Sequence, residues 1–110
     1  MNHVIDPKAT VPVVGLILAS HWGYEQTNVD FYIVTEVKGA FCTIEEINAP
    51  EKPGATCLEG TKYPTLPVVV TGHGIRRKFK VCGDRFYVKV HNYASASPWS
   101  GEVEYVSHTH

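Results

Sequence analysis

A chain of 110 residues, 44% hydrophobic and 19% charged, fits one small domain with a modest core, which excludes whole-chain disorder. A net charge of −1 excludes a global field that draws the molecule to nucleic acid or acidic membranes. The charge is unevenly spread, with seven acids against two lysines between Glu25 and Glu59 and six basic residues against Asp84 between Arg76 and Lys89. The expected molecule is therefore bipolar.

Residues 1–12 are polar, carry two prolines and read as a flexible N-terminal arm. The chain lacks a basic start, and Pro12 and Gly15 cut its first apolar run, so neither a signal peptide nor a membrane span is expected. Val13 to Ser20 reads VVGLILAS, rich in branched side chains and too short for a typical helix. It predicts a strand buried on both faces, with Gly15 at a bend or bulge.

The stretch His21 to Tyr32, HWGYEQTNVDFY, then concentrates aromatic and hydrogen-bonding side chains in a loop. Alternation begins inside it. Val29, Phe31, Ile33 and Val37 are expected on one face, and Asp30, Tyr32 and Glu36 on the other. Lys38-Gly39 predicts a turn and Ala40 to Ile47 the return strand.

Residues 48–67 hold four prolines, two glycines and little periodicity, which predicts a long surface connection. A short strand is expected over Pro67 to Thr71, with a turn at Gly72-His73-Gly74. In the second hairpin Phe79 and Val81 point one way, and Lys78 and Lys80 the other. Cys82 to Arg85 supplies its turn. Phe86, Val88 and Val90 then face the core, with Tyr87, Lys89 and His91 outside. Residues 92–98 read as a Ser/Ala/Pro connection, and Trp99 to Val106 as a last strand. Trp22 and Trp99 read as packing residues at the barrel ends.

Six or seven short antiparallel strands without a helical period predict an all-β domain over 13–106, a small SH3-like barrel, with a frayed tail at 107–110. Closing the sheet removes edges that would pair with other chains. The sparse, odd set Cys42, Cys57 and Cys82 reads as free thiols in a reducing cytosol.

Two clusters carry the functional expectation. In the first, Trp22, Tyr24, Gln26, Thr27, Asn28, Asp30 and Tyr32 offer amides, a hydroxyl and a carboxylate beside aromatic faces, which suits a flat polar ring or a peptide backbone. The structural alternative is that Thr27, Asn28 and Asp30 bond neighbouring backbone amides and shape the turn. In the second, Arg76, Arg77, Lys78, Lys80, Arg85 and Lys89, with Tyr87 among them, can neutralise phosphates or dock on an acidic partner. Here the alternative is a solvated face that protects a strand from aggregation.

No catalytic residue is expected, because no nucleophile–base pair can be read from the spacing. His73, His91, His108 and His110 and the cysteines lack the strong metal-ligand spacings, so neither metal nor cofactor is expected.

The segment His21-Trp22-Gly23-Tyr24-Glu25-Gln26-Thr27-Asn28-Val29-Asp30-Phe31-Tyr32-Ile33-Val34, with the later Tyr93-Ala94-Ser95-Ala96-Ser97-Pro98-Trp99-Ser100-Gly101, resembles a functionally uncharacterised family of short phage and mobile-element proteins. Its motif is of the type SWGYxQTNVDFYxV. The resemblance runs from about Val13 onward. His21 departs from the family's small residue, and Ile33 stands where glutamine is common.

The resemblance implies an accessory protein in a bacterial cytoplasm and assigns no reaction. The resulting expectation is a non-enzymatic module that binds a host or phage macromolecule, with interference in a host defence complex as one use. A nucleic-acid-binding barrel using residues 76–89, and a small-molecule or nucleotide pocket or enzyme at residues 22–32, are the alternatives.

Overall fold

The computed structural model describes residues 3–23, 28–53, 59–64, 68, 70–91 and 94–107. Every helix or strand among them is a strand, in the order β1 (Ile17–Trp22), β2 (Asn28–Lys38), β3 (Phe41–Ile47), β4 (Glu51–Pro53), β5 (Glu59–Lys62), β6 (Val70–Cys82), β7 (Arg85–His91), β8 (Ala94–Pro98) and β9 (Glu104–Ser107). β1, β2, β3, β6, β7 and β8 close an antiparallel barrel in that order, and β4, β5 and β9 form a separate three-stranded sheet. This is the closed six-stranded architecture of a small SH3-like barrel.

The two hairpins form for a common reason. Lys38 lies opposite Phe41 and Cys82 opposite Arg85, leaving Gly39-Ala40 and Gly83-Asp84 as two-residue turns. In each turn the glycine comes first, at φ +60 and +65. That is the position where a tight hairpin turn needs a positive φ that β-carbon sterics penalise.

The barrel interior is filled by Leu16, Leu18, Tyr32, Val34, Cys42, Ile44, Phe86, Val88, Val90 and Ala96, with Ile75 and Phe79 packed against them. A second core lies outside the barrel wall. Ile17, Ala19, Val29, Phe31 and Ile33, on the outward faces of β1 and β2, pack against Ile47, Trp99 and Val106. The expected burial of the first strand on both faces follows directly, because the barrel takes one face and the small sheet covers the other. Each fully buried branched or aromatic side chain in such a core contributes about 1.5–3 kcal/mol.

Trp99 is the centre of this second core, packed between layers and not at a barrel end. Its ring meets Phe31 edge-on at 5.3 Å and Tyr63 at 5.6 Å. Its Nε1–H donates to the carbonyl of Glu102 at 2.9 Å. His21 Nε2 and Glu104 Oε2, 3.0 Å apart, tie β1 to β9 at the rim.

Four sequence expectations are corrected. Val37 leaves the face of Val29, Phe31 and Ile33 because Thr35 is an extra residue in β2, where the register shifts between Val34 and Glu36. Such a bulge exchanges the two faces, and Val37 is exposed. Gly72-His73-Gly74 is no turn. It lies inside β6, where Gly72 at φ +86 sits in a bulge between the Glu45–Gly74 and Ile47–Val70 pairs.

The described part of 48–67 contains β4 and β5, which pair with each other and with β9. Finally, Ala94–Pro98 is a barrel strand, and the last strand begins at Glu104, after Trp99. Pro67 and Val69 of the expected 67–71 strand lie outside the described residues, as does the end of the tail.

Within the arm, Val4 bridges Leu16 in parallel, its N–H donating to the Gly15 carbonyl at 2.7 Å, and Ala9 is buried. No helix among the described residues is long and apolar enough to cross a membrane.

Candidate functional site

The side chains of Trp22, Asn28, Asp30 and Tyr32 are placed by one ladder. Trp22 lies opposite Asn28, Ser20 opposite Asp30 and Leu18 opposite Tyr32. Residues directly opposite share a face, so Trp22 and Asp30 are diagonal neighbours. The indole Nε1–H donates to Asp30 Oδ2 at 2.7 Å. Lys62, from β5, reaches the same carboxylate at 3.9 Å and donates to the carbonyl of Val29 at 2.7 Å.

Asp30 therefore joins the barrel rim to the small sheet. Tyr32 is 5% exposed and belongs to the barrel interior. Tyr24, Gln26 and Thr27 lie outside the described residues.

Two polar atoms at this rim, Ser20 Oγ and Asn28 Nδ2, are buried without a hydrogen-bond partner among the described residues. The adjoining cleft, lined by Asp30, Phe31, Glu46, Ile47, Asn48, Ala49 and Lys62, holds about 230 Å³. That is below the roughly 300 Å³ at which small-molecule pockets begin. What the described residues build here is a structural junction.

The basic cluster resolves differently. Ile75 and Phe79 pack against the barrel interior, so alternation turns Arg76, Lys78 and Lys80 outward. On β7 the buried residues are Phe86, Val88 and Val90, which leaves Arg85, Tyr87 and Lys89 on the outer face. Register adds residues that the linear sequence did not bring together. Lys38, Phe41 and Lys78 form one row across β2, β3 and β6. Glu36, Thr43 and Arg76 form the next, and Lys80 lies opposite Tyr87.

The Arg76 guanidinium carbon sits 4.7 Å from the centroid of the Phe41 ring, which is 40% exposed. Phe41 and Lys38 were missed because their place beside Lys78 depends on a β3–β6 pairing that skips β4 and β5. The alternation of Cys42 and Ile44 inward was the one available signal that Phe41 faces out.

Arg77 departs from the cluster. It lies opposite buried Cys42, on the face of Ile75 and Phe79, and its Nη1 donates to the Arg76 carbonyl at 3.1 Å. It lines a cleft of about 190 Å³ with Lys89, Val90 and His91, beside the part of β6 that no longer pairs with β7. Val81 shares the inward direction of Phe79 but extends past the packed interior and is 56% exposed.

The outer face of the barrel is thus divided. Over β1 and the first half of β2 it is covered by the small sheet. Over the end of β2, over β3 as far as Glu45, and over β6 and β7, the described residues of the small sheet leave it bare. The bare part carries six cations (Lys38, Arg76, Lys78, Lys80, Arg85 and Lys89) around Phe41 and Tyr87, with Glu36 and Glu45 toward the covered side.

Burial raises the Cys42 thiol above its ordinary value, while Cys82 is exposed; both are free, and Cys57 lies outside the described residues. Among the described residues, no three His, Cys, Asp or Glu side chains are grouped to hold a metal ion.

Compared with known proteins, the chain matches no family model, no curated protein and no solved structure.

Proposed function

We propose that the protein is a non-enzymatic binding module that engages an anionic macromolecule through the bare outer face of β3, β6 and β7. One observation carries this reading. Alternation and register gather six cations and two aromatic rings on the side of the barrel that the small sheet leaves uncovered. Clustered cations with low-dielectric protein behind them raise the local concentration of an oppositely charged partner and speed its encounter. The Trp22–Asp30–Lys62 group contributes stability at the rim, and Tyr24, Gln26 and Thr27 of the first cluster lie outside the described residues.

The setting is that of a phage or mobile-element accessory protein in a bacterial cytoplasm, with a host or phage partner. A host defence complex is one candidate target. This setting rests on the sequence resemblance alone.

The test is capture from a bacterial lysate, with and without nuclease, by wild type and by a folded Arg76→Glu, Lys78→Glu, Lys80→Glu variant. A stoichiometric partner held by wild type and lost in the variant supports the reading. A partner held equally by both, or none held by wild type, overturns it.

A further inference from the structure

We infer that the occupant of this face is a single-stranded nucleic acid, bound by phosphate neutralisation on the lysine rows and by base stacking on Phe41 and Tyr87. The inference rests on the binding-module reading and adds the chemistry of the partner.

Ring and charge alternate across this face. Lys38, Phe41 and Lys78 stand in one row on adjacent strands, spaced at about 4.8 Å. In the next pair, Lys80 stands opposite Tyr87. Each ring is thus flanked by an ammonium group at the reach of a neighbouring phosphate. Every base has a π-face, so such a platform holds a strand without reading its sequence.

The cations are of two kinds. Four of the six are lysine: Lys38, Lys78, Lys80 and Lys89. Phosphate takes lysine as a point charge and arginine as a planar fork, so both kinds of cation on this face suit a nucleic-acid backbone. The one cation stacked on a ring is Arg76, over Phe41 at 4.7 Å, and a guanidinium plane can itself continue a stack of bases.

A single strand suits this face better than a duplex, because Phe41 and Tyr87 can stack only on bases that are not paired within a helix. β3 pairs with β6 only as far as Lys78 and β8 meets β7 only from Val88, so the Phe79–Val88 ribbon runs on beyond both neighbours with Lys80, Arg85 and Tyr87 on one face. The acids Glu36 and Glu45 close the face toward the small sheet, which leaves the path along Lys78, Lys80 and Arg85.

The experiment is fluorescence anisotropy of a labelled oligothymidylate of about 12 nucleotides, run beside a duplex of equal length and a labelled polyglutamate. Wild type is compared with Phe41→Leu, Tyr87→Leu and with Arg76→Glu, Lys78→Glu, Lys80→Glu, each checked by circular dichroism.

The expected result is tightest binding to the single strand. The slope of log affinity against log salt should be about −4 if all six cations meet phosphate, at about −0.7 for each contact. The leucine variant should lose at least about tenfold in affinity at an unchanged slope. The glutamate variant should lose binding altogether. Polyglutamate bound as tightly as the oligonucleotide, with no effect of the leucine changes, overturns the inference and leaves the anionic-partner reading standing. Tighter binding of the duplex overturns the inference as well. Binding of neither polyanion overturns both.

Discussion

Arg76 holds its guanidinium over the ring of Phe41, 4.7 Å from carbon to centroid, across the seam between β3 and β6. The cation is attracted to the negative face of a ring that is 40% exposed. Individually the two residues are surface groups. A double-mutant cycle of Phe41→Ala and Arg76→Ala, followed by urea unfolding, is expected to give a coupling of about 0.5–1 kcal/mol. A coupling of zero would mean that the stacking does not order the face.

The Trp22–Asp30 bond predicts a graded response at Asp30. Asp30→Ala removes the acceptor from the indole and the charge partner from Lys62, and should cost about 1.5–3 kcal/mol. Asp30→Asn keeps an oxygen for the indole and should cost less. Equal losses in the two variants, measured by urea unfolding, would contradict a hydrogen-bonded role for this carboxylate.

Trp99 joins the barrel wall to the small sheet, so its removal should loosen β4, β5 and β9 first. Trp99→Ala is expected to cost about 3–5 kcal/mol, the range for emptying a buried aromatic site. Hydrogen exchange should show the small sheet losing protection ahead of the barrel. Trp99→Phe retains the aromatic packing and loses the bond to Glu102, so its cost should be smaller. Simultaneous loss of protection in both sheets would show that the two cores unfold as one.

Cys42 and Cys82 should separate cleanly by reactivity. Iodoacetamide followed by peptide mass mapping is expected to label exposed Cys82 in the native protein and Cys42 only on unfolding, since burial both shields Cys42 and holds its thiol protonated. The raised value also has a pH consequence. The unfolded thiol ionises near its ordinary value of 9.0 while the folded one stays neutral. The contribution of Cys42 to stability is therefore complete below that pH and is lost as pH rises through the folded value. Cys42→Ala should flatten the fall in stability above that pH.

The features legible in the sequence were the local ones. Gly39 and Gly83 marked the hairpin turns. The uninterrupted apolar run Leu16 to Ala19 announced a strand covered on both sides, and the alternation of Phe86, Val88 and Val90 told inside from outside. The hidden features depend on partners far along the chain. β4 and β5 are three and four residues long, too short for a period to be seen, and β5 pairs with β9 more than forty residues away. The bulges at Thr35 and Gly72 change direction without any signal in hydrophobicity.

The same division holds for the candidate site. Lys78, Lys80, Tyr87 and Lys89 follow from alternation. Lys38 and Phe41 need the register, and so does the separation of Arg76 from Arg77. Tyr32 reads as a polar loop residue until the Leu18 pairing carries it into the core.

A charge scan by salt elution from immobilised heparin tests most directly whether the bare face is the binding surface. Single glutamate substitutions at Lys38, Arg76, Lys78, Lys80, Arg85 and Lys89 are compared with the same change at Lys8 and Lys52, which lie off this face. Earlier elution in the six variants, with Lys8→Glu and Lys52→Glu close to wild type, is the predicted result. An equal shift in all eight would mean that overall charge alone governs retention, and would contradict the assignment of this face.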